Sequence, residues 1–297
     1  MAHLRLEHFQ VAKLGFSRLR TYRFGNLYAS ARKLSNSQLP VTRYAKSGSY
    51  WTSDELEAYN IIFVDQTKLQ FFRSKTLSAP TRPSLVGFMK TENWENAKDD
   101  ETRKLLHYLD LALDPKVGQE TAVDNFAAKL LEKLEYDKGD RIIFIQRALQ
   151  LIICGVPRAA QTNICVTDDD GILLLLQENK MLGNKRLGSD KKPENQIIAE
   201  AIAAFAVNND NYKLKRKRPL TATTFPAITM VGTNPIFYKI PITAQLSTAV
   251  QTGRYPEKQT KVLWYTPDLP KEKDLGMRPL ENRIEILACL EAFKRFL

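Results

Sequence analysis

The chain has 297 residues, 43% hydrophobic and 26% charged, a composition that excludes a disordered polymer and can fill a sizeable core. Lys and Arg outnumber Asp and Glu 44 to 33, leaving a net charge of +11, which favours a polyanionic partner, nucleic acid or an anionic lipid surface. Three scattered cysteines and three histidines argue against a disulfide scaffold, a cysteine zinc site or histidine-based catalysis, and fit a reducing intracellular compartment.

Residues 1–50 hold nine basic residues against Glu7 alone, which is +8 of the +11. The segment fits a mitochondrial transit peptide, a basic arm along nucleic acid, or a solvated stretch. Residues 60–64 and 69–72 read as two short strands of a hairpin. Residues 75–100, with Pro80 and Pro83, read as a linker, and a helix follows over 100–113. Val123, Phe126, Ala127, Leu130, Leu131 and Leu134 form one apolar stripe of a clear helix, with Glu120 at its edge. Four short strands are predicted at 142–145, 149–154, 162–167 and 172–177, with a tight turn at Asp170-Gly171. A second helix covers 194–207, buried through Ile197, Ile198, Ala201, Ile202 and Phe205.

The run Lys213, Lys215, Arg216, Lys217 and Arg218 reads as a nuclear-import signal, a phosphate-binding loop or a solvated loop. A hairpin over 227–231 and 236–240 turns at Gly232-Thr233-Asn234-Pro235. A last helix over 280–296 buries Ile284, Leu287, Leu290 and Phe293. No run of about 20 apolar residues is present to span a bilayer. The order of elements predicts an α+β or α/β class. It divides into a basic segment 1–50, an N-terminal α+β extension 51–113 (hairpin and helix) and a main domain 114–297.

The strand at 172–176 ends in Gln177-Glu178-Asn179-Lys180. A carboxylate and an ammonium two residues apart on a strand share a face. Such a pair suits metal-assisted phosphodiester hydrolysis, the carboxylate holding Mg²⁺ (or Mn²⁺) and the lysine placing a water. A plain ion pair is the alternative reading. If Asp170-Gly171 is a two-residue turn, Asn163 faces Glu178, and Asp168, Asp169 and Asp170 lie roughly 20 Å away at ~3.3 Å per residue.

These features resemble the PD-(D/E)XK nuclease superfamily, and within it a fungal group carrying that nuclease-like domain. The residues concerned are Glu120–Phe126, Ala160–Val166, Leu175–Lys180, Gln196–Phe205 and the Gly232–Lys239 hairpin. The resemblance implies a restriction-endonuclease-like core, a central mixed sheet with helices on both faces. It implies a metal-binding acid at Glu178, the catalytic lysine at Lys180 and the first-helix glutamate at Glu120. Gln196 and Glu200 would support the site. Asn163 stands at the second-strand position where the family has aspartate, and it would ligate through its carbonyl oxygen.

The implied activity is a Mg-dependent deoxyribonuclease, or a DNA-binding relative with an impaired site. The rival is a non-catalytic scaffold for nucleic acid or protein, and a third reading is an anionic-lipid binder. Lys239 and the 213–218 run would contact nucleic acid, the run lying beside the site. A homodimer and a nuclear, or alternatively mitochondrial, location complete the expectations.

Overall fold

The computed structural model describes residues 44–116, 119, 121–178 and 192–297. The readings placed on residues 1–43, Glu120, Asn179 and Lys180 fall outside them.

The described chain is an α/β structure around one seven-stranded mixed sheet, ordered β1-β7-β6-β5-β4-β3-β2. The strands are β1 (Ile61–Asp65), β2 (Ile142–Ile153), β3 (Val156–Thr167), β4 (Ile172–Glu178), β5 (Ala222–Val231), β6 (Asn234–Thr243) and β7 (Thr260–Tyr265). β1 runs parallel to β7 and β4 parallel to β5, and the remaining pairs are antiparallel. Apolar cores lie on both faces. One face is covered by α2 (Lys68–Phe72), α3 (Pro83–Lys90), α4 (Asp100–Leu113), α5 (Ala122–Lys133) and α8 (Leu280–Phe293). The other carries α1 (Ser53–Ala58), α6 (Pro193–Leu214) and α7 (Ala244–Thr252). No described helix is long and apolar enough to cross a membrane.

The structure revises several predicted elements. Residues 69–72 are the helix α2, because Thr67 and Gln70 cap each other reciprocally at its start. β1 therefore has no hairpin partner and pairs with β7, nearly 200 residues away. The 75–100 linker contains α3, with Pro83 in its first turn and Leu85 and Phe88 buried. Residues 51–113 thus supply one strand of the common sheet and much of one core. The strands predicted at 142–145 and 149–154 are one strand, β2. It turns into β3 through Cys154 and Gly155, both at positive φ, as a tight hairpin needs.

In α8 the inward face is shifted. Ile284 is 41% exposed, whereas Arg283 and Ile286 are fully buried. Arg283 donates to the carbonyls of Met277, Phe88 and Thr91, tying the end of α3 to α8. A buried guanidinium with five donors needs such acceptors, and they set the rotation of the helix.

Two registers bear on the site. The β3–β4 turn is not a two-residue loop. Asp168 Oδ1 accepts from the amides of Asp170 and Gly171, and Thr167 pairs with Ile172 across a bulge. Ile164 therefore pairs with Leu176, and continuing that register puts Asn163 across from Gln177 rather than Glu178.

The second register is on β2. Its pairing with β3 skips Gln146 and Asn163, and Gln146 sits at φ 55°. Ala160 packs in the α6 core, whereas Ile164 and Val166 pack in the α5 core. Strict alternation would keep these even-numbered residues on one face. Both strands therefore reverse their faces at this point. One consequence is that Arg147 lies 5.3 Å over the ring of Phe144, three residues back and on the opposite face of a regular strand.

An αL conformation costs a non-glycine residue of order 1–3 kcal/mol, most for a β-branched one. Gln146→Gly is therefore expected to leave stability unchanged or raise it by up to about 1 kcal/mol in urea unfolding. Gln146→Val should lower it by about 1–3 kcal/mol. Equal stability of the two variants would contradict the reversal.

Candidate functional site

The reversal decides where Asn163 points. Thr162 Oγ1 donates 2.8 Å to the carbonyl of Ile164 and also lies 3.3 Å from that of Leu176. Thr162 thereby spans Asn163 and keeps β3 against β4. Asn163 and Ile164, consecutive in sequence, consequently both face α5. There Asn163 Nδ2 donates 2.7 Å to Asp124 Oδ2. Asn163 is 9% exposed and Asp124 2%. A hydrogen bond to a charged acceptor in such a place is of the strong kind, about 1.5–3 kcal/mol.

Asp124 reaches the sheet because it flanks the apolar stripe of α5. Ala127, Ala128 and Leu131, at i+3, i+4 and i+7, are all buried. The family resemblance points to Glu120 as the helix carboxylate, whereas the described carboxylate that reaches the sheet is Asp124. The available signal was helical phase, since an acid one residue after the buried Val123 falls on the edge of the packed face.

Glu178 ends β4 and is 8% exposed. It shares its pleat face with Leu174 and Leu176, and its β5 partner is Met230, all in the α5 core. Asp124, Asn163 and Glu178 thus lie on one face where the β3–β4 pairing ends, supplied by a helix and two neighbouring strands. Their donors are two carboxylates and an amide carbonyl, the oxygen ligands of a hard divalent cation. Among the described residues no group of three or more His, Cys, Asp or Glu is arranged to hold a metal, so among them a set of three would need Asn163.

Gln196 and Glu200 stand on the other face. Gln196 Nε2 donates 3.2 Å to the carbonyl of Gln161 and 3.1 Å to Glu200 Oε1. Glu200 is fully buried on α6, and that burial holds its carboxyl well above the usual carboxylate range against opposing bonds from Gln196 and Thr162. The pair braces β3 from behind, immediately beyond Asn163. It does not face Glu178.

The basic run is also elsewhere. Lys215 and Lys217 both pair with Asp170, at 3.1 and 2.6 Å, and Lys213 pairs with Asp210 at 2.9 Å. Arg216, at φ 55°, and Arg218 are exposed in the same turn. Asp170 precedes β4 and Glu178 ends it, so the run lies roughly 20 Å from Glu178 at ~3.3 Å per residue, not beside it. Two of its cations are moreover shared with an aspartate.

Lys239 lies on β6, an interior strand, half-buried, and its Nζ donates 2.5 Å to the carbonyl of Phe71. No family model matches the chain, and a search of the curated proteins found no match.

Two outcomes test this geometry. Asn163→Asp would set two buried carboxylates within hydrogen-bond distance, and like charges there cannot both ionise. The variant should lose about 2–4 kcal/mol at pH 8 in EDTA, recovering in acid or with millimolar Mn²⁺. The exchange Asp124→Asn with Asn163→Asp should restore most of the stability. An Asn163→Asp chain as stable as wild type in EDTA would show that the groups do not meet.

Glu200 has a raised folded pKa, so the neutral form is favoured by folding. Its ionisation erodes stability as pH rises above the unfolded carboxylate value. Glu200→Gln should therefore melt close to wild type at pH 4 and above it at pH 8. A melting difference independent of pH would count against a buried neutral acid.

Proposed function

We propose that the chain is a nuclease-like protein of the PD-(D/E)XK type that binds DNA and cleaves it weakly at a divalent-cation site. The observation that carries the reading is the hydrogen bond between Asn163 and Asp124 on the face that also holds Glu178. The succession of α5, the antiparallel β2–β3–β4 sheet, α6 and the parallel strand β5 supports a restriction-endonuclease-like core.

Glu178, Asp124 and the Asn163 carbonyl would hold Mg²⁺ or Mn²⁺. The ion, when bound, would polarise a phosphodiester and acidify a water. Asn163 lacks the charge expected on its strand, and Asp124 supplies a carboxylate beside it. Donation from Asn163 Nδ2 orients the amide so that Oδ1 is left as the ligand atom. Glu200 and Gln196 keep β3 in place from behind. Lys180 retains its proposed role of placing the attacking water, and Glu120 that of adjusting metal or water.

A non-catalytic scaffold is the second reading. It is favoured by the same bond, since donation from Asn163 satisfies Asp124 in part without any cation. Homodimerisation and a nuclear or mitochondrial site of action remain proposals that rest on the sequence.

Plasmid nicking and duplex binding by the full chain separate these readings. Nicking should appear with Mg²⁺ or Mn²⁺, vanish in EDTA and fall at least about 100-fold in Glu178→Ala. Duplex binding measured in EDTA should be nearly unchanged in that variant. Binding without cation-dependent nicking in wild type would select the scaffold. Nicking that Glu178→Ala leaves intact would refute the site.

A further inference from the structure

Away from Glu178, Lys239 and Arg295 meet at the Phe296 ring beside the end of α2, whose next residue is Arg73. Lys239 Nζ lies 3.9 Å from the ring centre of Phe296 and 4.4 Å from that of Phe71, while donating to the Phe71 carbonyl. The Arg295 guanidinium lies 5.1 Å from the Phe296 ring centre and 5.7 Å from that of Phe72, and it donates to the Phe72 carbonyl. Arg73 follows Phe72 at φ 54°. Arg73 and Arg295 are exposed and Lys239 is half-buried against the rings of Phe71 and Phe296.

The two carbonyls account for two donors but not for three charges, since a helix end carries only about half a unit of negative charge. No carboxylate among the described residues pairs with any of the three. The neighbouring acids are already engaged, Glu285 by Lys68 at 2.6 Å and Glu291 by Arg82 and Lys294 at 2.6 and 2.7 Å. Burial first, and then the two arginines, depress the Lys239 ammonium to about 8. Two planar guanidinium forks beside one ammonium are the groups that grip a phosphoryl oxygen set.

We infer that Lys239, Arg73 and Arg295 form a phosphoryl-binding site distinct from the Glu178 site. Glu178 pairs with Met230 and Met230 with Pro235, and Lys239 lies four residues farther along β6. That is roughly 13 Å along the strand, two strands across the sheet. The inference therefore stands whether or not the Glu178 site cleaves. The phosphoryl group belongs either to a free phosphate or terminal monoester, or to a nucleic-acid backbone.

Thermal melts of the full chain at constant ionic strength test this. Inorganic phosphate at 10 mM should raise Tm by about 3 °C over matched chloride. Lys239→Met and Arg295→Gln should each abolish most of that rise, and the paired change Lys213→Ser with Lys217→Ser should keep it. Because Arg295 is exposed, its variant gives the answer if Lys239→Met does not fold.

Tetrathymidylate with and without a 5′-phosphate identifies the source. A rise with both oligonucleotides assigns the backbone, and a rise with the phosphorylated one alone assigns the monoester. No rise above chloride, or an equal rise in both single variants, overturns the inference.

Discussion

Asn163 and Ile164, consecutive in sequence, face the same core only because β2 and β3 reverse their faces together. Had β3 kept its alternation from Ala160, Asn163 would have faced α5 but Ile164 and Val166 would have turned toward α6. Had it kept the alternation of Ile164 and Val166, Asn163 would have faced α6. The reversal satisfies both cores and places a polar side chain at the seam. The unpaired αL residue Gln146 on one strand and the Thr162 hydroxyl on the other sustain it. A strained position in the sheet beside a buried polar pair is the pattern in which local cost is accepted for a site.

The two faces of the sheet divide the labour. The α5 face gathers the groups with metal-ligand chemistry. The α6 face carries Gln196 and Glu200, which hold the β3 backbone, and Glu200 can remain there because it is kept neutral. Its role is architectural, through the strand that bears Asn163. The positive charge in the described structure is distributed differently. The 213–218 run is partly neutralised by Asp170 and Asp210, whereas Lys239, Arg73 and Arg295 at the end of α2 pair with no described carboxylate.

The sequence made the long periodic helices α4, α5 and α6 legible, because each buries a continuous stripe. It also singled out Asn163 and Glu178, which stand near each other on adjacent strands. The position of Asn163 was inferred from a two-residue turn that does not exist. The Asp168 side chain builds a longer turn and shifts the register by one, and the face reversal then brings Asn163 round. Two compensating local events of this kind leave no periodic trace.

Short capped helices such as α2 and the remote pairing of β1 with β7 were hidden for a similar reason, since they depend on tertiary contacts. Asp124 was within reach, as helical phase alone put it at the edge of the buried stripe. The inward turn of Arg283 in place of Ile284 was not, because it is set by carbonyls on α3 and the loop beyond it.

The side-chain amide of Asn163 reports the central claim directly. In a ¹⁵N-labelled full-length chain its NH₂ signal should exchange slowly with water and be lost on substoichiometric Mn²⁺ addition, and Glu178→Ala should abolish the Mn²⁺ effect while leaving slow exchange intact. An amide that exchanges freely, or one that Mn²⁺ leaves unbroadened in the wild-type chain, would contradict a buried Asp124–Asn163 pair built into a cation site with Glu178.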